Sequence, residues 1–499
     1  MTKEKKFFGH PMGLSTLFAT EMWERFSYYG MRALLTLYLT AELVNGGFGL
    51  DREASLEIYA IFTGLVYLTP ILGGWVSDKL LGQRKTVYIG GLVMAIGQFL
   101  LASSALLYQS TQHSTDSRQF LFNFGLGVLI IGNGFFKPNI STVIGNFYDD
   151  NDPMKDSAFN IFYLGINLGA ILGTFIAGGL GENIEWGYGF LAAGVGMILG
   201  ILWLKAKERT LEHHGLPPKT AADKYVLDGG DWRTIFIYVI GLVFGIFALI
   251  YIWGLLPEII KSVITYGGFA AIFIGLSYTI FKGTKGTSEW SRMGVIIILA
   301  IFNIVFWAGF EQAGGTFSLF AKENTNRMMF GWEMPATWFQ NVNSFSILVF
   351  ASLYSIMWLW LDKKGWNPRT PLKFALGLFF GALAFFVMSK ASDLAQGGNL
   401  VSPLWLVSVY VLLTLGELML SPIGLSMITK LAPAKLVSVV MGLWMASFAA
   451  GNYLAGMLEG ILNKFDFSLY PFIMMVMLGS GILLVILSPL LNKAMKGIH

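Results

Sequence analysis

Along the 499 residues, long apolar runs alternate with short polar breaks. The runs recur at about 20 residues, the length of helix needed to cross a hydrocarbon core of about 30 Å. The pattern predicts about fourteen such helices. Six come first, over residues 14–41, 55–78, 85–108, 120–147, 157–180 and 186–205. A polar linker, "KAKERTLEHHGLPPKTAADKYVLDGGD", leads to two further apolar segments at 232–254 and 263–281. After the charged turn "KGTKGTSEWSR" come six more, over 292–320, 336–361, 371–390, 402–430, 436–461 and 468–491. Backbone polar groups in lipid must be satisfied within the segment, which favours helices. The expected fold is an all-α polytopic membrane protein. Residues 1–207 form one six-helix bundle, 208–290 a linker with two extra transmembrane helices, and 291–499 a second bundle. Polar stretches are too short for a separate soluble core.

Composition supports that class. The chain is 55% hydrophobic and 13% charged, with a mean hydropathy of +0.62. Soluble domains carry about 25% charged residues, so soluble and disordered readings fail. The absence of cysteine excludes disulfides, thiolate metal sites and thiol catalysis. Five histidines leave little to hold a metal, and none is expected. The polar start "MTKEKKFFGHPMG" is not followed by a cleavage site, so no cleaved leader is expected. Lysine and arginine gather in alternate loops: "DKLLGQRK", "KAKER", "KGTKG", "DKKGWNPRTPLK", "KLAPAK" and the terminal "NKAMKGIH". By the positive-inside bias these loops, and both termini, are expected to be cytoplasmic.

The first apolar run is interrupted by "EMWERFSYYGMR". Glu21, Glu24, Arg25, Tyr28, Tyr29 and Arg32 are spaced to form one stripe down a helix. Each charge at a bilayer centre costs about 2.5–3.5 kcal/mol, so these four must pair or face a wet cavity. Glu21 and Arg25 are an i,i+4 pair, and Glu24 reaches Arg25 or a neighbouring helix. A purely structural ion-pair knot accounts for these three, but Arg32 lies two turns away without an acid of its own. Lys137, Glu311 and Glu417 are each isolated in apolar sequence with Gly or Pro close by, where the backbone is free to line a cavity. A lone buried Lys or Glu must be paired, neutralised or hydrated. Taken singly each has a structural reading; together they predict a polar chamber, with cations mostly from the first half and acids from the second. Paired bundles around a midplane site are a recurring transporter design. Such a chamber suits a zwitterion, its carboxylate toward Arg32 and Lys137 and its ammonium toward Glu417. Asn167 and Asn343 suit a peptide backbone. Tyr29, Tyr67, Trp307 and Trp444 line apolar pockets or simply pack.

These residues carry a resemblance. Glu21, Glu24 and Arg25 spell E-x-x-E-R before "FSYYG"; "GGWVSDKLLGQRKTVYIGG" covers 73–91, with Gly74 and Asp78 as a G-x-x-x-D loop. "GNGFFKPN" carries Lys137, and "NIFYLGINLGA" ends with Ala170 where Ser is usual. Over nearly its whole length the chain resembles the proton-dependent oligopeptide transporters (POT/PTR) of the major facilitator superfamily, in their bacterial form. The resemblance implies Glu21, Glu24, Arg25 and Lys137 in proton coupling, and Glu311 as a protonation site. It implies Arg32 and Lys137 on the peptide carboxylate and Glu417, Asn167 and Asn343 on the amino terminus. Tyr29, Tyr67, Trp307, Trp444 and Ser421 would surround the ligand. Animal members use a second-helix histidine; Ala60 stands there, so that relay is not expected. The large extracellular domain of animal members is also missing, since residues 391–402 form only a short loop.

The implied function is import of di- and tripeptides with protons, in an inner cell membrane. Arg52 and Glu323 are expected to pair when the outer side is shut, and Lys137 and Glu417 when the cytoplasmic side is shut. Protons are the coupling ion; no other cofactor, nucleic acid or obligate protein partner is expected. The alternative within transport is a proton symporter for nitrate or a drug. A membrane enzyme is disfavoured, since no H-E-x-x-H, G-x-S-x-G or phosphate loop occurs. A signalling receptor would differ by giving no current on adding peptide.

Overall fold

The computed structural model describes residues 6–108, 115–149, 152, 154–216, 226–433 and 436–495. Parts of the loops used for the charge bias, at 150–151, 153, 217–225, 434–435 and 496–499, lie outside the described residues, as do the first five. A short hairpin, β1 (Lys6–Phe7) with β2 (His10–Pro11), precedes α1 (Met12–Thr40). Then come α2 (Arg52–Val76), α3 (Gln83–Leu106), α4 (Thr115–Gly145), α5 (Met154–Gly173), α6 (Gly179–Asn183), α7 (Trp186–Ala206) and α8 (Gly229–Leu255). The remaining helices are α9 (Glu258–Gly283), α10 (Gly286–Phe310), α11 (Thr316–Glu323), α12 (Asn341–Lys363), α13 (Thr370–Ala395), α14 (Pro403–Leu431), α15 (Val437–Asn463) and α16 (Leu469–Ala494). A second hairpin, β3 (Met328–Met329) with β4 (Trp332–Glu333), precedes α12.

All fourteen expected spans are helical, and the protein is a multi-pass membrane protein. Among the described residues, twelve spans are long and apolar enough to cross a bilayer by length and composition. The other two are α1, with its four charges, and α9. Three spans differ from the expected unbroken helices. α2 continues as a wider π-type turn over Ser77–Leu81 and stops at Gly82, whose φ of 75° lies in the left-handed region. A similar turn, Thr174–Gly178, joins α5 to α6. The span expected over 292–320 breaks into α10 and α11 through a 3₁₀ turn, Glu311–Gly314. The glycine pair Gly314–Gly315 weakens the helix here, and side chains take up the freed carbonyls. The Tyr410 hydroxyl donates to Ala313 O (3.1 Å), as does Ser318 Oγ (3.0 Å).

The chain forms two compact units. One comprises Met1–Leu50 and Leu65–Leu255, the other Asp51–Gly64 and Leu256–His499. In the first, α1 packs on α5 and α7, α3 packs on α4 and α7, and α8 lies on α3 and α4. In the second, α13 packs on α14 and α16, α10 on α15, α12 on α14, and α9 on α15. α8 and α9 turn large apolar side chains outward, among them Ile240, Phe244, Leu249, Ile259, Val263 and Ile274, a surface suited to lipid.

Glycines set the close contact that fixes α1. Gly165, Gly169 and Gly173 recur every four residues on α5, and α1 lies against that stripe through Phe18, Met22 and Phe26. Small residues at this spacing let backbones approach closely in lipid. A Cβ on Gly169 would sit 2.1 Å from the Met22 carbonyl oxygen and 2.8 Å from Arg25 Cβ. The backbone cannot yield there, so Gly169→Ala is expected to destabilise by about 1–3 kcal/mol through overpacking. Gly245→Ala on α8 meets nothing within 4 Å, and the gain in helix propensity of about 0.5–1 kcal/mol should leave it neutral or slightly stabilised. Thermal melts of the two variants in detergent check the contrast; equal melting temperatures would contradict it.

Candidate functional site

In the first unit, α1 carries the charged stripe inward. Glu21, Glu24, Arg25 and Arg32 are all buried. Arg25 lies between the two acids. Its Nε donates to Glu21 Oε1 at 2.6 Å and stands 3.0 Å from Glu24 Oε2, an ion pair without hydrogen-bond alignment. The other Glu24 oxygen accepts from Asn133 Nδ2 of α4 at 3.1 Å. Asn133 lies one turn before Lys137, and Lys137 is within electrostatic range of Glu24. With both acids ionised the triad has one negative charge in excess, which the Lys137 ammonium offsets. Glu21 Oε2 is buried without a hydrogen-bond partner among the described residues.

Pro138 follows Lys137 and removes one backbone N–H from α4. The Asn139 amide donates to Phe135 O (2.8 Å) and Gly73 O (3.4 Å), taking up carbonyls near the proline. Lys137 Nζ lies 4.2 Å from the centre of the Tyr67 ring, a cation–π distance, and the Arg32 guanidinium lies 5.7 Å from Tyr29. Asn167 is buried on α5, with its amide donating to Tyr163 O of its own helix at 2.9 Å.

The second unit holds the acids. Glu417 Oε2 accepts from Asn343 Nδ2 at 3.0 Å, and the same amide donates to Thr414 Oγ1 at 2.9 Å. Asn343 is thereby held across from α14, where Thr414, Glu417 and Ser421 share a face. The Ser421 hydroxyl oxygen is buried without a hydrogen-bond partner among the described residues. Glu311 begins the 3₁₀ turn and takes the Tyr59 hydroxyl on its carboxylate at 3.3 Å and on its carbonyl at 3.4 Å. Glu417 is within electrostatic range of Glu311. Trp307 Nε1 donates to Asn303 Oδ1 (3.1 Å), whose amide donates to Ser447 Oγ (2.9 Å), and that hydroxyl donates to Trp444 O (2.6 Å). Trp444 is fully buried, and its Nε1 has no hydrogen-bond partner among the described residues.

At one end of this unit Arg52 joins two acids. Its Nε donates to Glu459 Oε1 at 2.5 Å and its Nη1 to Glu323 Oε2 at 3.2 Å. The expected Arg52–Glu323 pair is therefore present, but Glu459 is the shorter contact. Sequence reasoning passed over Glu459, an acid near the end of an apolar run that deserved the same notice as Glu417. It also passed over Asn133, Thr414 and Tyr59. They are common polar types inside helices, and only the packing of one helix on another shows what they touch. The residues Glu212, His213 and His214, in the linker after α7, have ligand atoms within 4.8 Å of one another. The His214 imidazole, half-buried, is pushed below its usual proton affinity by burial and by His213.

The POT family model matches residues 84–227 and 271–476. The chain belongs to the POT family. This POT-family chain is 37% identical over 502 residues to "Uncharacterized transporter YclF" of Bacillus subtilis (strain 168), covering 99% of this chain and 97% of that one. It is 33% identical over 452 residues to a protein named "Di-/tripeptide transporter" from Lactococcus lactis subsp. cremoris, covering 88% and 87% of the two chains. Among solved structures it is similar to peptide transporter POT in complex with sulfate, with a TM-score of 0.84, 34% identity, and 99% and 98% of the chains covered. The E-x-x-E-R stripe of this POT-family protein is thus a packed ion cluster with one guanidinium serving two acids.

That arrangement makes Arg25 indispensable. Arg25→Met leaves two buried carboxylates without their guanidinium, a loss of about 3–5 kcal/mol. Glu21→Gln keeps the Arg25–Glu24 pair and should lose much less. Melting temperatures in the same detergent rank the two, and an Arg25→Met protein as stable as Glu21→Gln would contradict the shared-guanidinium account.

Proposed function

We propose that this chain is a proton-coupled symporter that imports di- and tripeptides by alternating access. Family membership, the name of the Lactococcus relative and the peptide transporter among its structural neighbours support this reading. The observation that carries it is the separation of charge: Arg32, buried, and Lys137, half-buried, stand against aromatic rings on one unit, and a positioned acid stands on the other. Arg32 and Lys137 receive the peptide carboxylate, and Glu417, steadied by Asn343 and Thr414, receives the ammonium. Asn167 serves the backbone. Tyr29, Tyr67, Trp307, Trp444 and Ser421 surround the rest of the ligand.

Coupling follows from competition for the same charges. A proton on Glu21 or Glu24 loosens the hold on Arg25 and shifts the balance around Lys137 toward a peptide carboxylate. Glu311 is the second protonation site. An inward proton contributes about 2.3 kcal/mol per 100 mV. At about 1.4 kcal/mol per tenfold, that supports roughly forty-fold accumulation of peptide per proton. The protein resides in the inner membrane with both termini cytoplasmic, as the basic loops favour. No catalytic step and no cofactor beyond the proton enters this scheme. The Arg52–Glu323 pair belongs to the outer gate, and Lys137 with Glu417 to the cytoplasmic one.

Uptake into proteoliposomes under an imposed inward proton gradient tests the substrate. Labelled dialanine should accumulate, and unlabelled di- and tripeptides should compete where nitrate does not. N-acetyl-dialanine lacks the ammonium and should compete at least about a hundredfold less well, because an unpaired buried charge costs about 3–5 kcal/mol. Equal competition by the acetylated and free peptides would overturn the assignment of Glu417.

A further inference from the structure

The two short hairpins lie outside the proposed peptide site, and both turn on the same dipeptide. In the first, Phe7 pairs with His10 and the chain reverses over Phe8 and Gly9; in the second, Met329 pairs with Trp332 and the chain reverses over Phe330 and Gly331. Both residues of each tip have positive φ, 48° and 86° in the first and 51° and 82° in the second. This is the pattern of a type I′ turn, which favours Asn-Gly or Asp-Gly. A bulky side chain is strained in the left-handed region, and asparagine or glycine occupies it at lower cost. Phenylalanine is thus a poor residue for the turn itself. Yet Phe330 and Phe8, 105% and 78% exposed, are the two most exposed large apolar side chains among the described residues.

Each hairpin has a pinned base. His10, buried, lies 2.9 Å from Tyr148 Oη and 3.3 Å from Ser157 Oγ. At the second, Asn326 N donates to Val401 O (2.8 Å), and the buried Arg327 donates to Met334 O (2.6 Å) and pairs with Glu333. The run Met328–Trp332 between those two charges is itself uncharged. Each tip also adjoins apolar surface. The Phe8 ring lies 4.8 Å from Phe7, and Phe7 lies 5.9 Å from Phe18 of α1. The Trp332 ring lies 5.3 Å from Trp338, in the 3₁₀ turn that opens into α12. Along α12, Phe345, Val349, Leu353, Ile356 and Trp360 then run outward at helical spacing, a surface for lipid. An exposed ring on a strained tip is unfavourable in water, while aromatic rings are enriched at the boundary between water and lipid. We propose that both hairpins are interfacial anchors whose partner is the bilayer. Phe8 enters the leaflet at the start of α1, and Phe330 with Met328, Met329 and Trp332 enters the leaflet at the start of α12. The charge bias of the loops makes the first leaflet cytoplasmic and the second external. The anchors set the depth of α1, which carries the charged stripe, and of α12, which carries Asn343. The inference does not depend on what the protein transports.

The chain has no cysteine, so a single introduced cysteine can carry a nitroxide label. Lys6→Cys and Met329→Cys place the label beside each tip without removing its phenylalanine. Arg209→Cys and Gln396→Cys, on exposed turns, serve as references in water. In vesicles of phosphatidylethanolamine and phosphatidylglycerol, collisions with oxygen, which concentrates in the bilayer, are compared with collisions with a water-soluble nickel chelate. Both hairpin labels should favour oxygen relative to the references. Adding Phe8→Asn or Phe330→Asn supplies a residue suited to the turn and removes only the ring. Each should lower the oxygen-to-nickel ratio of the neighbouring label at least about tenfold, the shift expected when a phenylalanine no longer leaves water. A hairpin label with the nickel access of the references overturns the anchor at that hairpin. So does a label shielded from both reagents, as packing against a second copy would give, and so does a ratio unchanged by the asparagine.

Discussion

One guanidinium between two carboxylates governs the rest of the first unit. Arg25 holds Glu21 at 2.6 Å and stands 3.0 Å from Glu24, inside a helix that must lie in lipid. Charges there persist only when partnered and shielded. Shielding needs α5 pressed against α1, which explains glycine at 165, 169 and 173. Partnering needs a donor for the second acid, which explains Asn133 on α4. The lysine that balances the charge stands one turn further along that helix, just before the proline. The motif, the glycine stripe and the polar pair Asn133 and Lys137 on α4 are therefore one solution to one electrostatic problem.

The second unit meets the same constraint by another means. Its acids sit where helices are interrupted or polar side chains converge. Glu311 lies in a 3₁₀ turn whose loosened carbonyls are taken by Tyr59, Tyr410 and Ser318. Glu417 is held by an amide that also grips Thr414. A carboxylate held by neutral donors changes protonation more readily than one locked to a guanidinium, because no opposite charge anchors the ionised form. The two units thus differ in kind: one pairs its acids with a guanidinium, the other holds them through neutral donors.

Most of the architecture was legible in the sequence because lipid imposes a length on every span. The stripe from Glu21 to Arg32 was legible because helical spacing alone places those residues on one face. Arg52 and Glu323 lie 3.2 Å apart, yet Glu459 went unremarked, because a pair between distant segments is visible only once α2 and α15 are packed. The break at Glu311 was hidden for a similar reason. Glycine next to an acid signals a weak helix, but whether the helix opens depends on who takes its carbonyls, and those hydroxyls come from α2, α11 and α14. Asn133 and Tyr59 carry no sequence signal beyond being polar.

The account stands on the claim that peptide and proton move together. It is tested most directly by loading proteoliposomes of the purified protein with a pH-sensitive dye and adding dialanine outside, with no imposed gradient. The account predicts that dialanine acidifies the interior in a saturable way, and that the acidification vanishes when the outer face is saturated with a non-transported competitor. Equilibration of labelled dialanine into the vesicles without any acidification would contradict it.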